Sequence, residues 1–526
     1  MMRARKSLLL LTMALSGTTA SAAQTSAPAL LDRVTWGINE PSAALAGHGT
    51  DRWLEDQLRA KADAPLPSAA QAQIDALRIS HEPLAQLVVE MDAQNKAYGA
   101  ITDPAQKQIA VAAYQQAMRG LADEAATRSL LRDLYSPTQL REQMTWFWFN
   151  HFNVQANKRD IRAMVGDYED SAIRTHALGR FRDLLEATLR HPAMLRYLDN
   201  DQNAANHINE NYAREIMELH TMGVGSGYSQ KDVQELARIL TGVGIDLKPD
   251  APKLKPALQP LYIRAGLFEF NPARHDFGDK VFLGHSITGS GYAEVEQALD
   301  LIAASPATAH RVSAQLAAYF MGDAVPPALV DRMAETFRTS KGDIPRVLRT
   351  LFRSREFKAS LGTSFKDPVH YAVSAVRLAY GDRVILNTAP LRGWLNRMGE
   401  GLYARETPDG YPMTSAAWTG PGQMAVRFEI AHQIGYNGAG LFTPPAPPAA
   451  PVVAAISPMA VMAATPATSP APAPATPPIV PQIRNASWFA DLNRPIRPAT
   501  RDALAAATSP REWNALFLSS PDFMRR

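Results

Sequence analysis

The stretch SPTQLREQMTWFWFNHFNVQAN, residues 136–157, constrains this chain more than any other. Ser136 is a favourable N-cap, Pro137 fits the first helical position and Gln139 completes a capping box, so a helix is expected from there. Around it Trp146, Phe147, Trp148, Phe149 and Phe152 leave no broad polar stripe. A helix apolar on every side has to be buried on every side. The chain must therefore wrap other helices around this one. At its C-terminal end the character changes to Asn150, His151, Asn153, Gln155, Asn157, Lys158 and Arg159. A buried helix with a polar end can form the floor of a pocket.

Helical periodicity recurs along the chain. It predicts helices over residues 30–37, 50–58, 82–94 and 105–127, the last either exposed or a lid. Residues 167–190 read as one helix, broken at His191-Pro192, with a short helix following to Leu198-Asp199-Asn200. Ser229 with Asp232 caps a helix that runs to Thr241 and stops at Gly242. Residues 267–270 and 280–284 flank the turn-rich NPARHDFGD and predict one β-hairpin. Helices return over residues 292–360, including 309–320 and 343–352, and again over 366–380. The Gly-, Pro- and Trp-rich part over 394–427 predicts an ordered irregular layer. Residues 443–481 are Pro/Ala-rich and almost uncharged, which predicts an extended linker. Beyond it, Trp488-Phe489 and residues 513–524 regain core-forming side chains.

The expected fold is mainly α: a large bundle-like helical domain over 23–442, one small β-hairpin, the linker, and a helical tail over 482–526 docked on the main domain. The length, 526 residues, gives a prior of about two to three domains and also allows one large helical unit.

The first residues have the layout of a secretory signal peptide: Arg3, Arg5 and Lys6, an apolar run from Leu8 to Leu15, then Ala20-Ser21-Ala22. Cleavage is expected after Ala22, giving a periplasmic or secreted protein. The apolar run is too short to remain as a membrane span. Those three cations account for the whole formal charge of +3. The near-neutral remainder offers no electrostatic footprint for nucleic acid or a membrane surface. The chain has no cysteine, which excludes disulfides, thiolate metal sites and a cysteine nucleophile.

Six blocks carry a resemblance when taken together: WFWFNHFNV, LRYLDN, NENYAREIMELHTMGV, YSQKDVQELARILTG, HDFGDKVFLG and the closing FLSSPDFMRR. In this order they resemble the exported bacterial "domain of unknown function 1800" family, from about Leu30 onward. The resemblance implies a mostly helical exported protein, in a family commonly encoded beside a second exported protein, which becomes a partner expectation. It supplies no reaction. The chain departs from the family pattern in its linker and at Tyr411, where the family tends towards Pro-Gly-Trp.

The sharpest chemical candidate is the block over residues 209–224. On a helical wheel Glu210, Asn211, Arg214, Glu215 and Glu218 share one face, while Tyr212, Ala213, Ile216, Met217, Leu219 and His220 take the other. Paired carboxylates beside a cation can be driven to different pKa values, which general acid/base catalysis requires. The same spacing also makes two i,i+4 ion pairs on a solvated face. His151 is the second candidate, with Asn153 and Asn157 beside it suited to reading hydroxyl groups, against a buried packing role. Asp199, Asn200 and Asn203 lie just upstream of the acidic block. His275 and Asp276 fall in the hairpin turn, where plain turn chemistry competes with substrate contact. No motif spacing indicates a metal or a phosphate loop, and the cofactor stays unassigned.

Two functions follow as expectations. One is an exported hydrolase of an extracytoplasmic polymer, carbohydrate favoured, with Glu215 and Glu218 as acid and base, Arg214 tuning them, and His151 with Asn153 positioning substrate. The other is a non-catalytic helical scaffold for another exported protein.

Overall fold

The computed structural model describes residues 27–39, 41, 42, 44, 49–60, 64–444, 479–485 and 496–526. The leader, most of the Pro/Ala-rich stretch and Trp488-Phe489 lie outside the described residues. The chain is mainly helical, with a few short antiparallel strands.

The central helix is Gln139–His151, and every residue of it except Asn150 is buried. Its polar members find hydrogen-bond partners inside the protein, as burial demands, although Gln143 Oε1 has none among the described residues. Glu142 receives two hydrogen bonds from Arg174, at 2.9 and 2.8 Å. Trp148 Nε1 donates to Ala177 O at 3.0 Å, and Gln57 Oε1 accepts from Leu140 N at 3.1 Å. The start differs from expectation. The preceding long helix, Pro104–Tyr135, runs on until Ser136 closes it, and the Ser136 hydroxyl accepts from Thr138 N at 3.2 Å. Gln139 turns back to donate to Asp133 O and Ser136 O, so no capping box forms. That long helix is exposed over residues 104–109 at its start and largely buried along its second half.

Two further stretches depart from a single helical period. Residues 167–190 split into a wide π turn, Tyr168–Ile173, a tight turn, Arg174–His176, and an α-helix, Phe181–Arg190. The wide turn delivers the Tyr168 hydroxyl to Phe152 O at 2.7 Å and is followed at once by Arg174, which meets Glu142. In the acidic block one α turn, Asn211–Glu215, passes into a wide turn, Ile216–His220, whose i,i+5 bonding changes the phase of the wheel.

The predicted hairpin is corrected. Strand Phe268–Phe270 does not pair with Lys280–Phe282. It is the centre of a three-stranded antiparallel sheet between Val243–Ile245 and Ile263–Ala265, with Phe270 opposite both Val243 and Ile263. Lys280–Phe282 pairs instead with His285–Ile287. Gly242 makes the turn into the first strand at φ +83°, and a Cβ there would lie 2.6 Å from Asn271 O. A Gly242→Ala variant therefore combines left-handed strain with a backbone clash, and should lose about 2 kcal/mol or more in urea unfolding.

One continuous apolar core runs from Leu30 to Met524. The last helix, Pro510–Ser519, packs on Pro421–Asn437, and Tyr371 Oη donates to both Arg427 O and Leu518 O. Ser364 and Arg526 exchange backbone hydrogen bonds of 3.2 and 2.8 Å. This pairing carries the Arg526 side chain into the interior.

Candidate functional site

The buried helix Pro368–Tyr380 begins with Asp367 as its N-cap and Pro368 in its first turn. Asp367 Oδ1 accepts from His370 N at 2.8 Å, and Oδ2 accepts from the His370 imidazole Nδ1 at 2.6 Å. A second carboxyl reaches the same helix end. The turn after helix Ala389–Arg397 passes through Gly399 at φ +85° and sets Glu400 against Val369 N, which donates to Oε2 at 3.0 Å. Unsatisfied N–H groups and the helix dipole attract negative charge at such an end.

The environments push the two carboxyls apart. Burial would raise Asp367, but the charge and hydrogen bond of His370, with Arg526 adding to them, bring it down to about 2. Burial drives Glu400 well up, and the Asp367 charge drives it further. Asp367 keeps 19 % of its side chain exposed, whereas Glu400 is 3 % exposed, so burial disfavours the charged form more strongly at Glu400. A split in this direction is what an acid and base pair requires. Burial, with Arg526 adding to it, lowers His370 to about 4.

Both carboxyls line one hollow with Trp146, Phe147, Trp418 and Arg526. The hollow offers about 30 Å³ to water-sized groups, room for about two waters. Arg526 donates to Tyr319 O at 2.8 Å and to Arg33 O at 3.3 Å. A larger hollow beside Asp167 and His191 is mostly apolar-lined, and its His191 is engaged between Asp167 and Ala193 N as a helix cap.

The sequence candidates fall elsewhere. Glu210 and Glu218 bracket Arg214 at 3.1 and 3.4 Å, with a quarter to a third of each side chain in solvent. Gln230 bonds both Glu210 and Arg214. Glu215 is half-buried, and burial followed by the charge of Glu218 raises it, with Asp409 contributing. His151 donates from Nε2 to His220 O at 2.8 Å and packs against Phe147, Trp148 and Phe152. Burial takes it down to about 4, so it is a neutral tie between two elements. Asn153 donates to Arg405 O and Thr407 O at 3.1 and 2.9 Å. Asn157 is exposed. Asp199 pairs with Lys158 at 2.8 Å. Asn200 donates to Val243 O at 2.9 Å and Asn203 to Ala237 O at 2.9 Å. Asn211 donates to Leu198 O at 3.2 Å. His275 is sealed between Thr241 O and Glu294, each at 2.8 Å, and Asp276 pairs with Arg238 at 2.8 Å.

The central helix and the acidic block thus meet through the bond from His151 to His220. The hollow opens instead over Trp146, Phe147 and Asn150. Asp367, His370, Glu400 and Arg526 were not among the sequence candidates. Asp367-Pro368 with His370 three positions on does carry a helix-start signal, but Glu400 and Arg526 carry none. Among the described residues, no three His, Asp or Glu side chains gather as metal ligands.

No curated protein and no solved structure matches this chain. A family model does match, over residues 29–525, and the chain belongs to the family it describes, "Protein of unknown function (DUF1800)".

Proposed function

We propose that this is an exported hydrolase of an extracytoplasmic polymer, carbohydrate favoured, working by carboxylate acid/base catalysis in the Asp367–Glu400 hollow. Support for export is the basic, apolar, small-residue layout of the first 22 residues. The observation that carries the chemistry is two carboxyls lining the same water-sized space, with Asp367 pulled down by His370 and Glu400 pushed well up by burial. In the reaction, Asp367 takes a proton from a water as its oxygen bonds to the scissile carbon. Glu400 gives its proton to the leaving oxygen as the old carbon–oxygen bond breaks. Trp146 and Trp418 contribute aromatic surface to the lining. We place acid and base here rather than at Glu215 and Glu218 because Glu218 is already bound to Arg214 on an open face.

The test is release of reducing ends from a panel of extracytoplasmic polysaccharides. Glu400→Gln and Asp367→Asn keep the backbone hydrogen bonds, and each should lower turnover at least about a hundredfold. Unfolding curves for both variants exclude a simple loss of fold. Activity that survives both changes but disappears in a Glu215→Gln, Glu218→Gln double variant would move the chemistry to the acidic face. A wild-type protein inactive on the whole panel would refute the hydrolase reading.

A further inference from the structure

Arg526 is 3 % exposed, it lines the hollow, and its Nε–H has no acceptor among the described residues. An unpaired buried donor on a charged group costs free energy that an incoming acceptor would recover. The partners of the buried cations around the hollow point the same way. Arg427, fully buried, donates to Lys366 O at 2.8 Å and lies over the rings of Phe365 and Tyr371. Arg526 likewise faces carbonyls and the Tyr319 ring. Among the described residues, neither guanidinium forms an ion pair with an Asp or Glu side chain, and each donates to carbonyl oxygen instead. Lys366, by contrast, has Asp32 at 3.4 Å. Of the charged groups here, Arg526, Asp367 and Glu400 line the hollow, and the Arg526 guanidinium spends its hydrogen bonds on carbonyls and not on either carboxyl.

We propose that the hollow receives a carboxylate-bearing group, held by the Arg526 Nε–H, so that the polymer cleaved here carries acidic residues. This rests on the proposed reading of Glu400 as the proton-bearing acid, because an ionised Glu400 would repel a second carboxylate. A low-dielectric wall strengthens the attraction, and a charge-assisted hydrogen bond to a carboxylate is among the stronger polar contacts a protein makes. The Ser364 hydroxyl, also on the lining, is a second available donor. The carboxylate could belong to a uronic acid or to a simple organic acid, and the two are separable.

The experiment titrates the full-length protein with sodium acetate, sodium D-glucuronate and D-glucose at fixed ionic strength, following tryptophan fluorescence and the unfolding midpoint. Acetate and glucuronate should each give a saturable change that glucose does not. Glucuronate alone would also support the proposal and place the carboxylate on a sugar. Arg526→Gln should weaken the response at least about tenfold. Because that change could disturb the fold, Ser364→Asp serves as a second variant: its own carboxylate should occupy the hollow and abolish the response. Glucose acting as well as glucuronate, or no response to any probe, would overturn the proposal. Glu400→Gln keeps a neutral side chain at that position, so anion binding should survive in it while turnover does not. Loss of binding in wild type thereby stays distinct from failure of the hydrolase reading.

Discussion

Between pH 7 and pH 4 the wild-type protein should lose about 3 kcal/mol more stability than a His151→Gln variant. Burial lowers the His151 imidazole to about 4. In the unfolded chain the same ring takes up a proton near its ordinary value of about 6.5. A base whose folded pKa is depressed contributes stability that is present above the unfolded value and is lost as pH falls towards the folded one. The window is therefore about 6.5 to 4, and a shift of this size corresponds to about 3 kcal/mol. His220 and His370, both lowered by burial, act in the same sense. Asp133 and Glu400 oppose them. Raised carboxyls hold protons that the unfolded chain releases, so their cost shrinks as pH falls. For that reason the wild-type curve alone is not diagnostic and the difference between two proteins is. Glutamine at 151 can still donate to His220 O, so the packing change should be nearly the same at both pH values. Below about pH 4.5 a separate loss begins, as Asp367 and Glu294, each held to about 2, take up protons. Chemical unfolding at several pH values measures both. Parallel stability curves for wild type and His151→Gln would show that the imidazole is not held neutral by burial.

The sequence exposed those parts of the fold whose signal is local. The all-round apolar character of Trp146 to Phe152 was enough to place a buried helix, and Ser229 with Asp232 does form the expected capping box. Where the local signal failed, a tertiary contact had taken over the group that carried it. The Ser136 hydroxyl is used by Thr138, so the helix begins two residues later than its cap suggests. Strands of three residues hold too little alternation to reveal their partners, and Phe268–Phe270 pairs with segments on its N-terminal side rather than with the strand that follows. The wheel for the acidic block assumed one period, and the wide turn over Ile216–His220 ends it. The hollow was beyond reach for another reason. Its parts come from the central helix, the start of Pro368–Tyr380, the Gly399–Gly401 turn and the Arg526 strand pairing, and only the fold brings them together.

Replacing Glu294 with alanine should cost about 3–5 kcal/mol, the largest single loss expected in the protein. Glu294 is fully buried and binds His275 Nε2 at 2.8 Å and Lys280 Nζ at 2.5 Å. It also accepts from Ser290 N and Gly291 N at 2.7 and 2.9 Å, which closes the turn into helix Tyr292–Ala304. Burial would raise its pKa, but the bonds from His275 and Lys280 bring it down to about 2, so it is the anion of the group. Alanine removes that anion and leaves the Lys280 ammonium in a site with no exposed surface, facing Asp276 O. The penalty comes from the abandoned charge, more than from the net strength of the original pairing, and a second substitution tests this. Lys280→Met in the Glu294→Ala background should recover a substantial part of the loss, because no buried cation then remains. Urea unfolding of wild type, both single variants and the double variant forms the cycle, and a coupling of at least about 2 kcal/mol is expected. Additive losses would mean that the carboxylate matters chiefly through the two turn N–H groups and that the lysine finds solvent once its partner is gone.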